Sequence, residues 1–299
     1  MVKRLISANS SDILAMTSKE LKQSIKASEG RVILSENVAP RESYIGDITN
    51  AEMARAFGAD MILLNGLNVL TPCVFGLPEG EGSVVDRLHE LVGRPIGVNL
   101  EPVDLSADMA EDKLIIDEGR QATIDTFKQV ESEGYDFICL TGNPGTGVTN
   151  TQITEAIEKA KQYYSGLIIA GKMHGAGVNE PVADLEAIKS FVQAGADVIL
   201  VPAVGTVPGF DEEQLKEVVK LVHAHDGLVL SAIGTSQESS DADTIKQIAI
   251  TNKICGVDIQ HIGDAGYAGV APVENIFALS KAIRGMRHTV SMIARSINR

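Results

Sequence analysis

The sequence predicts an α/β chain closed into a (β/α)8 TIM barrel, and three observations lead there. One short phrase recurs four times ahead of an apolar run: Gly58-Ala59-Asp60, Gly134-Tyr135-Asp136, Gly195-Ala196-Asp197 and Gly256-Val257-Asp258. A glycine that ends a helix, followed by residues that open a strand, marks the αβ turn of a repeating unit. The second observation is spacing: the phrases lie 76, 61 and 61 residues apart, roughly two βα units each, so the phrase precedes every second strand of eight. The third is length. The 299 residues suit one barrel domain of about 250 residues with an extension at each end.

The N-terminal extension, residues 1–30, carries Leu21 and Ile25 four apart within Ser18 to Ser28, with Ser18 as a cap and Gly30 as a stop. That pattern is an amphipathic helix, expected to cover the bottom of the barrel. The predicted strands are Val32 to Ser35, Met61 to Asn65, Ile96 to Glu101, Phe137 to Thr141, Leu167 to Lys172, Val198 to Val201, Leu228 to Ile233 and Val257 to Ile262. Most are short continuous apolar runs, as parallel strands buried on both faces should be. Helical patterns lie between them, near Ala51 to Phe57, Val84 to Leu91, Arg120 to Glu133, Thr151 to Tyr164, Leu185 to Ala194, Asp211 to His223, Asp241 to Asn252 and Val273 to Arg284. No Pro- or Ser-rich linker divides the chain, so a single domain is expected. Residues 285–299 keep a helical period with Met286, Val290, Ile293 and Ile297 on one stripe, which packs on its own barrel or forms a homo-oligomer contact.

A formal net charge of −14 disfavours nucleic acid and anionic membranes as partners. Cys73, Cys139 and Cys255 have no CxxC spacing and read as core thiols. Met1 to Arg4 could pass for a charged leader, but no apolar h-region follows it and no membrane-length apolar run exists, so a cytoplasmic enzyme is expected.

In a barrel, chemistry belongs to the loops that follow the strands. At the third predicted strand, Asn99 and Glu101 share one side. At the fifth, Ile168, Ala170, Lys172 and His174 share a face, predicting a wall with titratable groups at its top. Lys172 suits a Schiff base or, more commonly, a fixed charge for a phosphate or enolate oxygen; His174 suits proton transfer. Aligning the four repeats places Leu63, Cys139, Leu200 and His261 in one slot, so the histidine is the departure. Two residues on stand Asn65, Thr141, Pro202 and Gly263, which puts polar groups atop the second and fourth strands. The loops Gly234-Thr235-Ser236 and Gly263-Asp264-Ala265-Gly266 offer backbone N–H groups where barrels commonly hold phosphate. The loop Gly142 to Gly147 is a second candidate but lacks a P-loop lysine. Glu36, Glu101, His174, His261 and Asp264 could converge on a divalent metal such as Mg2+. Asp241-Ala242-Asp243-Thr244 reads as a helix cap.

At Gly195 to Val201, and at the loops after the seventh and eighth strands, the chain resembles the phosphate-binding (β/α)8 barrels, a superfamily of sugar-phosphate epimerases, aldolases and synthases. Leu34-Ser35-Glu36-Asn37, Gly171-Lys172-Met173-His174-Gly175 and His261 to Gly266 also resemble an uncharacterised bacterial barrel family. Its members are sometimes labelled haloacid-dehalogenase-like or phosphoenolpyruvate phosphonomutase-like, and the second label would imply a Mg2+ site built from acidic residues. The resemblance implies a lyase or isomerase acting beside a carbonyl of a small phosphorylated sugar or acid. In that reading Glu101 or His174 removes a proton, Lys172 stabilises the enolate, and the last two loops hold phosphate. The alternative is a non-catalytic metabolite-binding barrel that uses the same mouth.

Overall fold

The computed structural model describes residues 2–110 and 112–299; Met1, counted in the charged leader, lies outside them. In chain order the elements are α1 (Ser10–Leu14), α2 (Ser18–Lys26), β1 (Val32–Val38), α3 (Asn50–Ala56), β2 (Met61–Asn65), α4 (Val84–Val92), β3 (Ile96–Leu100), α5 (Ile124–Glu133) and β4 (Phe137–Leu140). They continue with α6 (Asn150–Tyr163), β5 (Leu167–Gly171), α7 (Leu185–Ala194), β6 (Val198–Pro202), α8 (Glu212–Ala224), β7 (Leu228–Ile233), α9 (Ala242–Cys255), β8 (Ile259–Ile262) and α10 (Val273–Ala294). The strands pair in parallel in sequence order and close, β8 against β1, into the barrel the repeats predict.

The recurring phrase is a two-part device at the bottom of the barrel. Gly134, Gly195 and Gly256 end α5, α7 and α9 in the left-handed conformation that favours glycine. The aspartate then clamps the preceding odd-numbered strand at two points. Its backbone N–H donates to a carbonyl there, Asp60 to Ile33, Asp136 to Ile96, Asp197 to Ile168 and Asp258 to Val229, at 2.8–2.9 Å. Its carboxylate accepts the N–H of that same residue, at 2.9, 2.8, 3.2 and 2.8 Å respectively. Each carboxylate also meets a basic side chain: Arg284, His89, Lys22 and His223 in turn.

Side chains alternate between two apolar layers. Leu34, Leu63, Cys139, Ile169, Leu200 and Leu230 are among those that point into the barrel. Leu21 and Ile25 of α2 join the same cluster and plug it from below. The opposite faces, such as Ile62, Val98, Ile138, Ile168 and Ile199, pack against the helices. The cap of α2 is Thr17 rather than Ser18, because Thr17 and Glu20 form a capping box. Strand β1 runs to Val38, beyond the expected Ser35, because its top pairs with β2 as far as Asn65. Asp241 caps α9, accepting from the N–H groups of Asp243 and Thr244. Cys73 is exposed, unlike Cys139 and Cys255, which are buried. Among the described residues no helix is long and apolar enough to cross a membrane.

The C-terminal extension kinks at Gly285 (φ 69°, ψ 168°), a conformation that suits glycine. Thr289 and Met292 then face the protein, while Met286 and Val290 of the predicted stripe are exposed.

The clamps yield a stability prediction. Asp197→Ala, which leaves the Ile168 N–H without its carboxylate, costs about 1–3 kcal/mol. Asp60→Ala also strands the fully buried Arg284 guanidinium and costs about 3–5 kcal/mol. Urea midpoints of the two variants measure this; equal losses would deny the ion pair its part.

Candidate active site

The upper mouth of the barrel encloses a cavity of about 380 Å3, within the range of small-molecule sites. Glu36 of β1, Asn65 of β2, Asn99 of β3 and Thr141 after β4 reach it from below. His174, Gly234-Thr235-Ser236, Gly263 and Asp264 line it from the loops after β5, β7 and β8.

A polar network fixes the floor. Glu36 is buried, with one carboxylate oxygen accepting from Asn99 Nδ2 at 2.5 Å and the other 3.0 Å from His261 Nε2. His261 stands in register with Leu34 and Ala232, one inward position below Glu36. It is fully buried and supports the cavity's floor instead of lining the cavity. Its place in the Leu63, Cys139, Leu200 slot is an inner-layer position, which is why its partner is the carboxylate directly above.

On the rim, Asn65 Nδ2 donates to Asp264 Oδ2 at 2.8 Å. Burial, followed by the charge of Glu36, pushes the Asp264 carboxyl up to about 7. Glu238, in the turn Gln237–Ser239 before α9, also lines the cavity, and burial raises its carboxyl too. Its Oε1 accepts from the Ala265 N–H at 3.1 Å. A Cβ at residue 263 would come within 2.4 Å of that oxygen, so Gly263 makes room for Glu238. Glu238 was absent from the sequence-derived set; the available signal was an acid two residues beyond Gly234-Thr235-Ser236.

His174 Nδ1 accepts from the Ala176 N–H at 3.0 Å, which places the proton of the neutral ring on Nε2.

Four of the expected site residues lie elsewhere. Lys172 does share a face with Ile168 and Ala170, but that face meets the helices, and Leu167, Ile169 and Met173 point inward. Lys172 is buried against Glu180 at 2.7 Å, and the same Glu180 oxygen accepts the Asn150 N–H at the start of α6. Met173 lines the cavity where the lysine was expected. Glu101 lies just beyond β3 and is fully engaged below the loops, accepting from Arg120 Nη2 at 2.7 Å and from Asn143 N and Nδ2 at 2.8 and 2.9 Å. It ties two loops together and does not line the cavity. Gly266 donates its N–H to Asp264 O at 2.8 Å and shapes the loop from outside the lining.

Of the expected phosphate cup, Gly234, Thr235 and Ser236 line the cavity, but the loop after β8 is engaged with the protein itself. In the loop after β8 the N–H groups of Gly263, Ala265 and Gly266 go to Ile233 O, Glu238 Oε1 and Asp264 O. Among the described residues no lysine or arginine lines the cavity, while Glu36, Glu238 and Asp264 do. Of the five residues expected to gather around Mg2+, Glu36, His174 and Asp264 line the cavity and His261 reaches Glu36 from below, whereas Glu101 is engaged outside the lining. Among the described residues no three His, Cys, Asp or Glu side chains are grouped to hold a metal ion.

Solved structures share the fold. A 2,3-dimethylmalate lyase, described as a member of the PEP mutase/isocitrate lyase superfamily, is 14% identical over 84% of this chain and 81% of its own, with a TM-score of 0.52. A Schiff-base-forming fructose-1,6-bisphosphate aldolase is 13% identical over 86% and 96%, with a TM-score of 0.54. An archaeal fructose 1,6-bisphosphate aldolase is 14% identical over 86% and 95%, with a TM-score of 0.51. These likenesses support a barrel of this kind and give no support to the haloacid-dehalogenase-like label. No curated protein matches the chain by sequence. The match over residues 6–299 is to the family described as Domain of unknown function (DUF7916), and the chain belongs to it.

Proposed function

We propose that this barrel is an enzyme of the lyase or isomerase kind that moves a proton at a carbon beside the carbonyl of a small polar molecule. The observation that carries the reading is Asp264: a buried carboxyl at the mouth whose pKa of about 7 suits a group that takes and returns protons near neutral pH. In its ionised form it accepts the C–H proton, and the bonding electrons pass into the carbonyl to give an enolate. Returning the proton to the carbon, or losing a leaving group from the next carbon, completes an isomerisation or a cleavage.

Asn65 aims the carboxyl through its 2.8 Å hydrogen bond. Glu36, held by Asn99 and His261, supplies the charge that favours Asp264 in its protonated form. His174 lines the same cavity, and an imidazole is a side chain of the kind that stabilises a developing enolate oxygen. This assigns to Asp264 and His174 the work expected of Glu101 and Lys172. Lyase and aldolase names among the barrels of like fold support the reaction class. A Schiff base forms no part of the proposal, because among the described residues no lysine lines the cavity.

Incubation with small hydroxy acids, keto acids and sugars in D2O, followed by NMR, tests the reading. The wild type exchanges a carbon-bound proton, with a rate that rises through about pH 7 as Asp264 ionises. Asp264→Asn lowers that rate about 10^2–10^4-fold. Ligand binding without exchange would favour the non-catalytic barrel instead.

The same substitution has a signed effect on stability. The folded protein keeps the Asp264 proton up to about pH 7, whereas a free aspartate gives it up near 3.8. The folded state therefore binds more protons in this interval, and stability falls as pH rises through it. Asp264→Asn melts at a higher temperature than the wild type at pH 8, and the difference closes at pH 4. An equal shift at both values would mean that the carboxyl is not strained by its charge.

A further inference from the structure

We propose that the cavity selects a substrate bearing an ammonium group, held by oxygen acceptors left unsatisfied in its wall. This uses the same cavity as the proton-transfer reading and adds the class of substrate to it.

The side-chain amide donors of the wall are spent on the protein itself. Asn99 Nδ2 goes to Glu36. Asn65 Nδ2 goes to Asp264 and Asn143, and Asn143 Nδ2 goes to Asn65 and Glu101. Three buried oxygens of lining residues have no partner: Asn99 Oδ1, Thr141 Oγ1 and Glu238 Oε2. Their residues are 3%, 2% and 2% exposed, so bulk water does not satisfy them. Glu36, Glu238 and Asp264 bring three carboxyl groups to the same wall, and among the described residues no lysine or arginine lines it.

The complement of such a wall is a cation rich in donors. An ammonium group carries three N–H donors and one positive charge; neutral amide and hydroxyl oxygens accept from it, and a carboxylate does so more strongly. A phosphate ester offers acceptors and negative charge, the same as the wall. A bare divalent ion prefers several carboxylates gathered closely, which the described residues do not provide. A neutral polyol offers donors without charge, so it satisfies the oxygens and leaves the electrostatics unanswered.

The test is calorimetric titration of the full chain at pH 7 with a panel of amino sugars, amino alcohols and amino acids, each beside its hydroxyl counterpart. Glucose 6-phosphate, inorganic phosphate and Mg2+ alone complete the set. At least one amine binds tenfold or more tightly than its counterpart, and Glu238→Gln removes that preference. Thr141→Val, which disturbs no hydrogen bond within the protein, weakens the same amine several-fold and guards against a Glu238 variant that fails to fold. The proposal is overturned if no amine in the panel outbinds its counterpart. It is equally overturned if either phosphate binds without metal as tightly as the best amine, or if Mg2+ alone is the ligand that Glu238→Gln abolishes. Amine preference without proton exchange supports this inference and removes the catalytic reading; exchange confined to neutral or phosphorylated compounds does the reverse.

Discussion

The barrel depends on one contact made four times: an aspartate that both donates to and accepts from a single residue at the start of the preceding strand. Parallel strands connected through helices leave their first N–H groups in need of acceptors at the bottom of the ring, and buried backbone donors tolerate no vacancy. The carboxylate supplies the acceptor; Arg284 and Lys22 compensate the charge of Asp60 and Asp197, and His89 and His223 lie within hydrogen-bond distance of Asp136 and Asp258. Fixing β2 on β1, β4 on β3, β6 on β5 and β8 on β7 sets the phase of every pair. That phase decides which side chains enter the lumen.

The site inherits its geometry from this phase. Glu36, Asn65, Asn99 and Thr141 are inward positions of the first four strands or their immediate ends, so they meet over the axis. His261 is an inward position of β8 one layer lower, and it meets Glu36 from beneath. The far half of the mouth, after β5 to β8, is built from loops, and Glu238 fills the space between the last two of them. The cavity is therefore half rigid strand ends and half loop, with its acidic groups contributed by both.

The strand count, the single ring and the polar strand ends were legible because a repeated αL glycine and a clamping aspartate leave a sequence trace. Asn99 was legible as a residue of the mouth for a related reason: a lone amide among apolar neighbours stands out. The inside and outside of β5 were not legible. Both faces of a parallel strand are apolar, so alternation there says which residues share a side without saying which side is the lumen. Lys172 was assigned to the mouth for that reason. The roles of Glu101 and Glu238 were hidden for a different one, since their partners lie on other loops and no local periodicity encodes them. The pairing of Glu36 with His261 joins positions 225 residues apart, which only closure of the ring brings together.

Three of the clamps are answered from nearby helices or, for Asp197, from the N-terminal α2, but the first is answered from the far end of the chain. Each clamp joins residues only 27 to 40 apart in sequence, so each strand pair can assemble from its own stretch. The counter-ion of Asp60, however, is Arg284 in α10, 224 residues away. Until α10 docks, the first strand pair lacks the guanidinium that answers its clamping carboxylate. Locking of the first strand pair therefore waits for α10, which ties the barrel's final stability to the docking of that helix.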